Sequence, residues 1–194
     1  MRALGYVLAG GQSTRMGRDK ALLSYRGATL VEHVARVVEG ALDAAQTGAA
    51  VTILGDPVRY SQLGFPVQAD LVAGCGPIGG IFTALSLSPC DWNLIVACDM
   101  PNLSSAGLRT LLACSRHSAA NCLVASGAGA EPEPLCGVYH RRCLAALDRA
   151  IRGKRFRMKN LVRELEAEIV PLDGPVLANV NTPDEWLRFD GQPG

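Results

Sequence analysis

Short apolar runs bounded by turn residues alternate along this chain with longer segments of helical period. Residues 4–8, 50–54, 65–68, 93–97, 121–125, 135–139 and 168–171 have strand length and strand composition, and predict seven strands. Between the first two, Leu30, Val34, Val37, Val38 and Leu42 recur at helical spacing behind Thr29, with Glu32 three residues after it. That is the signature of a capped amphipathic helix. A second helix is predicted over residues 78–87 behind Gly76 and Pro77, and a third around Leu108, Leu111 and Leu112 behind Ser104 and Ser105. Strands that alternate with crossover helices predict an α/β sandwich with parallel strands. Residues 126–133 are rich in Gly and Ala and read as a loop, and residues 191–194 as a terminal tail, leaving residues 1–190 as a single domain.

Composition narrows the function classes. A chain of 194 residues with 48% hydrophobic content buries one substantial core. Nineteen basic and eighteen acidic residues give a net charge of +1, so no broad field draws nucleic acid or an anionic membrane to the surface, and any anion site is local. No 18-residue apolar span and no export signal are evident, so no membrane partner is expected. The seven cysteines, odd in number and without C-x-x-C spacing, read as reduced thiols of a cytoplasmic protein. The three histidines are far apart and lack H-E-x-x-H spacing, which suits structural or solvated roles.

The strongest chemical signal follows the first strand: Leu8-Ala9-Gly10-Gly11-Gln12-Ser13-Thr14-Arg15-Met16-Gly17-Arg18-Asp19-Lys20. Gly10 and Gly11 allow backbone N–H groups to approach phosphate oxygens, and Arg15 and Lys20 supply cations for a triphosphate. An ordinary strand-to-helix turn with solvated arginines is the alternative. Neither a P-loop nor a dinucleotide fingerprint is present. A second signal, Leu94-Ile95-Val96-Ala97-Cys98-Asp99-Met100-Pro101, ends an apolar run in an acid. Asp99 would reach the carboxyl edge of the sheet and could bind a divalent cation or, alternatively, cap a helix. Asp70 and Gly74-Cys75-Gly76-Pro77-Ile78-Gly79-Gly80-Ile81 form a third constellation, either an anion site at a helix N-terminus or a tight turn. Asn179 and Asn181 flank Val180, so both amides project to one side of an extended segment, towards a ligand or as turn caps. The run Arg152, Lys154, Arg155, Arg157 and Lys159 is either a solvated face or a second anion site.

Taken as a whole, these strings resemble the nucleotidyltransferases that carry L-A-G-G/A-x-x-x-R-M-G-x-x-K, and within them the molybdenum cofactor guanylyltransferases. Cys98-Asp99-x-Pro101, the G-P-I-x-G string after Asp70, Glu133 to Tyr139, and Asn179-Val180-Asn181-Thr182-Pro183 extend the similarity to about residue 185. The resemblance implies a three-layer α/β/α sandwich, the Rossmann-like nucleotide-diphospho-sugar transferase fold with a mostly parallel central sheet. It implies GTP and molybdopterin as substrates and Mg²⁺ as cofactor. Nucleotide contacts would fall to Leu8, Ala9, Gly10, Gly11, Lys20, Asp70 and Asp99, metal binding to Asp99, and catalysis to Arg15, Lys20 and Asp99. Molybdopterin would meet Gly76, Gly80, Asn179 and Asn181. Transient contacts with other molybdenum cofactor biosynthesis proteins and with acceptor apo-enzymes follow from the same resemblance. One position departs from it: relatives often carry an asparagine just after the second strand, where this chain has Gly55 and Asp56. A cytidylyltransferase, a sugar-1-phosphate nucleotidyltransferase, and a non-catalytic nucleotide-binding module are the competing readings.

Overall fold

The computed structural model describes residues 2–10, 19–42, 51–127, 131–172, 177 and 186. Strand β1 (Ala3–Leu8) opens the chain, and a 3-10 turn over Lys20–Leu22 leads into a hairpin of β2 (Ser24–Tyr25) and β3 (Ala28–Thr29). Helix α1 (Leu30–Ala41), β4 (Val51–Leu54), the one-turn α2 (Pro57–Tyr60), β5 (Val67–Gln68), α3 (Pro77–Leu87) and β6 (Trp92–Ala97) follow. The remainder is α4 (Ser105–Ser115), β7 (Cys122–Ser126), β8 (Pro132–His140), α5 (Leu144–Arg152), α6 (Met158–Glu164) and β9 (Glu168–Pro171).

Seven strands form one sheet in the order β5-β4-β1-β6-β8-β7-β9. Every neighbouring pair is parallel except the two that involve β8, which runs against both β6 and β7. Side-chain alternation along the strands sorts the core onto two faces. Val7, Leu94, Val96 and Leu123 pack under α1 and α4. Tyr6, Leu8, Ile95 and Val124 pack under α3, α5 and α6. Each fully buried Val or Leu contributes about 1.5–3 kcal/mol, so both helical layers are held chiefly by these stripes. The three-layer, mostly parallel sandwich is therefore observed.

Helix α1 starts as its sequence predicts. Thr29 Oγ1 accepts from Glu32 N at 3.4 Å, while Glu32 Oε2 accepts from Thr29 N at 3.0 Å, the two halves of a capping box. Ser104 caps α4 through Gly107 N at 3.1 Å. Two local readings differ from the sequence expectation. The β2–β3 hairpin, turning on Arg26 and Gly27 at φ 50° and 79°, is too short to show a period. The predicted loop over residues 126–133 is narrower: Ser126 ends β7, and Pro132 and Glu133 already belong to β8. The prolines disguise that strand, and they are tolerated because its first residues pair with β7 alone, the β6 ladder beginning at Cys136. The 191–194 tail lies outside the described residues.

Candidate active site

The carboxyl ends of β1 and β6 lie side by side, with Leu8 in register with Ala97 and Cys98 N donating to Leu8 O at 3.1 Å. Ala9 N donates to Leu54 O at 2.8 Å, which carries the β1–β4 pairing one residue past the strand. Gly10 and Asp99 are thereby delivered to the sheet rim, where open parallel sheets collect their ligands. A cleft there is lined by Leu8, Ala9, Gly10, Asp19, Lys20, Ala21, Pro77, Ala97, Cys98, Asp99 and Leu135. A Cβ on Gly10 would meet no atom of the described residues within 4 Å, so their packing does not demand glycine at that position and leaves its backbone bare towards the cleft.

At the centre of the cleft, Lys20 Nζ donates to Asp99 Oδ2 at 2.5 Å, with side-chain exposures of 22% and 15%. The two residues are 79 positions apart and meet because the 3-10 turn folds back over the end of β6. The pair offers one cation for phosphate oxygens and one carboxylate for a divalent ion. Cys98 is buried beside it; burial, and then the neighbouring Asp99 carboxylate, push its thiol up to about 12. It stays a protonated thiol at neutral pH and is no nucleophile.

Asp19, also in the cleft wall, is held from three sides. Its Oδ1 accepts from Ala21 N at 3.0 Å, and its Oδ2 accepts from Arg59 Nη1 at 3.0 Å and Tyr60 Oη at 2.8 Å. The Tyr60 hydroxyl also donates to Ala9 O at 2.6 Å. Burial, followed by the Asp19 contact, pushes the Tyr60 phenol well above its ordinary value. Asp19, Arg59 and Tyr60 are the residues that sequence reasoning missed. Adjacency to Lys20 was a signal for Asp19, and Asp56-Pro57 was a readable start for the one-turn helix that swings Tyr60 back.

Around the N-terminal end of α3, Gly76 takes φ +57° and ψ −148° as the N-cap, a conformation that L side chains rarely adopt, and Pro77 at N1 borders the cleft. The Asp70 carboxylate lies over the first turn, 3.7 and 3.8 Å from where Cβ atoms on Gly80 and Gly79 would stand; desolvation raises its carboxyl pKa. Gly80 itself is buried, and a Cβ there would come within 2.8 Å of Leu8 Cδ2, so the absent side chain lets α3 pack onto the end of β1. Asp70, Gly76 and Gly80 thus cluster beside the cleft rather than in its wall. Gly11, Arg15, Asn179 and Asn181 lie outside the described residues.

Where an asparagine was expected, the Tyr60 ring fills the space: a Cβ on Gly55 would stand 2.6 Å from Tyr60 Cε2. The Asp56 carboxylate is engaged in capping α2, accepting from Val58 N at 2.9 Å and Arg59 N at 3.4 Å. In the basic run, Arg152 pairs with Asp148, Arg155 with Glu164 and Lys159 with Glu131, as on a salt-bridged surface. Among the described residues no group of three or more His, Cys, Asp or Glu side chains could hold a metal. Asp99 suits Mg²⁺ even so, because that ion takes one or two carboxylates and completes its shell with substrate phosphates and water. No described helix is long and apolar enough to cross a membrane.

Residues 5–169 match the model of the MobA-like NTP transferase domain. A Nostoc protein named as a probable molybdenum cofactor guanylyltransferase is 34% identical over 190 residues, covering 96% of this chain and 89% of its own. The crystal structure of molybdopterin-guanine dinucleotide biosynthesis protein A from Archaeoglobus fulgidus shares the fold at a TM-score of 0.76 and 23% identity, covering 98% of this chain and 97% of its own. A Mycobacterium tuberculosis protein crystallised in complex with manganese superimposes at 0.67 and 20% identity, over 98% of both chains.

Proposed function

Because the chain belongs to the MobA-like NTP transferase family, we propose that it transfers GMP from GTP to the terminal phosphate of molybdopterin, releasing pyrophosphate. The observation that carries this reading is the Lys20–Asp99 pair beside the bare backbone of Gly10 at the carboxyl edge of β1 and β6. A cation, a carboxylate and an open backbone suit a metal-bound triphosphate, and the guanylyltransferase relatives supply the base and the acceptor.

In this proposal the triphosphate lies across Gly10 and Gly11, with Leu8 and Ala9 beneath the nucleoside, and Asp70 completes the nucleotide contacts. Asp99 would hold Mg²⁺, and the manganese-bound fold relative is in keeping with a divalent ion there. Bound, the metal supplies Lewis-acid charge neutralisation on phosphate oxygens. An oxygen of the molybdopterin phosphate attacks the α-phosphorus; a phosphoanhydride bond forms, the bond to the β-phosphate breaks, and pyrophosphate departs with the electron pair. Lys20 and Arg15 neutralise the charge that develops on that leaving group. The attacking oxygen is already anionic, so the chain need supply only positioning and field, and no side-chain base is assigned. Molybdopterin would be received by Gly76, Gly80, Asn179 and Asn181, in a single cytoplasmic domain that passes the product to acceptor apo-enzymes.

The test is pyrophosphate release by the purified protein with Mg²⁺ and molybdopterin, with GTP, CTP, ATP and UTP in parallel. Release with GTP alone is expected. Release with CTP alone would keep the chemistry and overturn the base; no release with any of the four would overturn the reaction.

A further inference from the structure

Tyr60 is the feature that nucleotidyl transfer, as set out above, leaves unused. It is 2% exposed and sits at the end of a one-turn helix, yet its hydroxyl contacts two groups that flank the glycine-rich string: Ala9 O at 2.6 Å before it and Asp19 Oδ2 at 2.8 Å after it. Ala9 and Asp19 are ten positions apart in the sequence, and Tyr60 is 51 and 41 positions from them. One phenolic proton is shared between a carbonyl and a carboxylate, and the ring behind it is seated where Gly55 has no side chain. Asp19 in turn fixes the 3-10 turn through Ala21 N, and the first residue of that turn is Lys20.

We infer that Tyr60 is a positioning residue for the nucleotide: its hydroxyl clamps the two ends of the glycine-rich string and so presets Lys20 at the Asp99 rim. The inference rests on the nucleotidyl-transfer reading. It also gives Gly55 a physical role, because any side chain there would drive the Tyr60 ring off its seat. Arg59 contributes from solvent, its guanidinium sharing Asp19 Oδ2 with the phenol. A binding surface that is preset before the ligand arrives spends less of its interaction energy on ordering, so loss of the clamp appears mainly in nucleotide binding.

The test is Tyr60→Phe, which keeps the ring and removes the hydroxyl. Pyrophosphate release over a GTP titration should show KM for GTP raised about tenfold, with kcat changed less than about threefold and KM for molybdopterin unmoved, the size expected of one charge-assisted hydrogen bond. Hydrogen exchange of the substrate-free protein should speed up in peptides covering Ala3–Leu8 and Lys20–Leu22. Asp19→Asn takes away the charge that Tyr60 and Arg59 share and should raise the same KM, and the double variant should fall well short of the product of the two single effects, because the charge-assisted Tyr60–Asp19 contact is lost in both. Should Tyr60→Phe fold poorly, Asp19→Asn carries the same two readouts. Unchanged GTP KM with unchanged exchange, or effects of the two variants that multiply, would overturn the clamp. A wild-type protein that releases no pyrophosphate from any nucleotide refutes the parent reading instead, and the exchange experiment still decides the clamp.

Discussion

Asp99→Asn separates chemistry from folding more sharply than any other change in the cleft. The amide keeps an oxygen able to accept from Lys20 Nζ and loses only the charge. Exposed ion pairs contribute under about 1 kcal/mol, and breaking a fully buried one costs about 3–5 kcal/mol. With side-chain exposures of 22% and 15%, the Lys20–Asp99 pair falls between these limits. Because the substitution keeps shape and hydrogen bonding, the loss should be about 1 kcal/mol, a fall in Tm of about 2–4 °C for a chain of this size. Turnover is a different matter. Asp99 lines the cleft proposed to take the triphosphate, and removing a preorganised electrostatic contact of this kind costs about 10²–10³-fold in rate, or about 3–4 kcal/mol of barrier. The assay is pyrophosphate release at saturating GTP and Mg²⁺, with a thermal melt on the same preparation. Turnover within tenfold of wild type would refute the role of Asp99. A Tm lower by more than about 10 °C would refute the partition, because activity would then be lost through unfolding.

Lys20→Met should raise KM for GTP and lower kcat together, since the ammonium is assigned to both ground-state and departing phosphates; kinetics equal to wild type would remove it from the site. Gly80→Ala should destabilise by about 1–3 kcal/mol through overpacking, because its Cβ would sit 2.8 Å from Leu8 Cδ2, and a urea titration with an unchanged midpoint would refute that. Thr29→Ala removes one half of the α1 capping box and should lower stability by about 1 kcal/mol, again read as a urea midpoint. His33 is packed against Tyr25 with Nε2 at 3.1 Å from Pro101 O, and burial depresses its pKa. The unfolded chain therefore binds a proton that the folded one refuses, so stability should fall as pH drops below the ordinary histidine value near 6.5 and level off below the depressed one. His33→Gln should flatten that part of the pH–stability curve.

The centre of the sheet was legible because β1, β6 and β7 are buried on both faces and so read as unbroken apolar runs, and the start of α1 because Thr29 and Glu32 act on each other over three residues. The position of Asp99 was legible for the same kind of reason: an acid that follows closely on an apolar strand marks the edge of the sheet. What escaped depends on partners distant in sequence. No local pattern could join Tyr60 to Ala9 and Asp19, and the space that admits its ring exists only because Gly55 lacks a Cβ. Seen from the sequence, Gly55 stood where relatives often carry an asparagine. Seen in the fold, it is the seat of an aromatic ring whose hydroxyl ties both flanks of the glycine-rich string. On the inference drawn above, the departure from the family pattern moves the contribution of this position to preorganisation of the residues proposed to hold the nucleotide. A substitution that restores asparagine at residue 55 should on this argument weaken GTP binding, because the Cβ it adds evicts Tyr60 before its amide can reach a ligand.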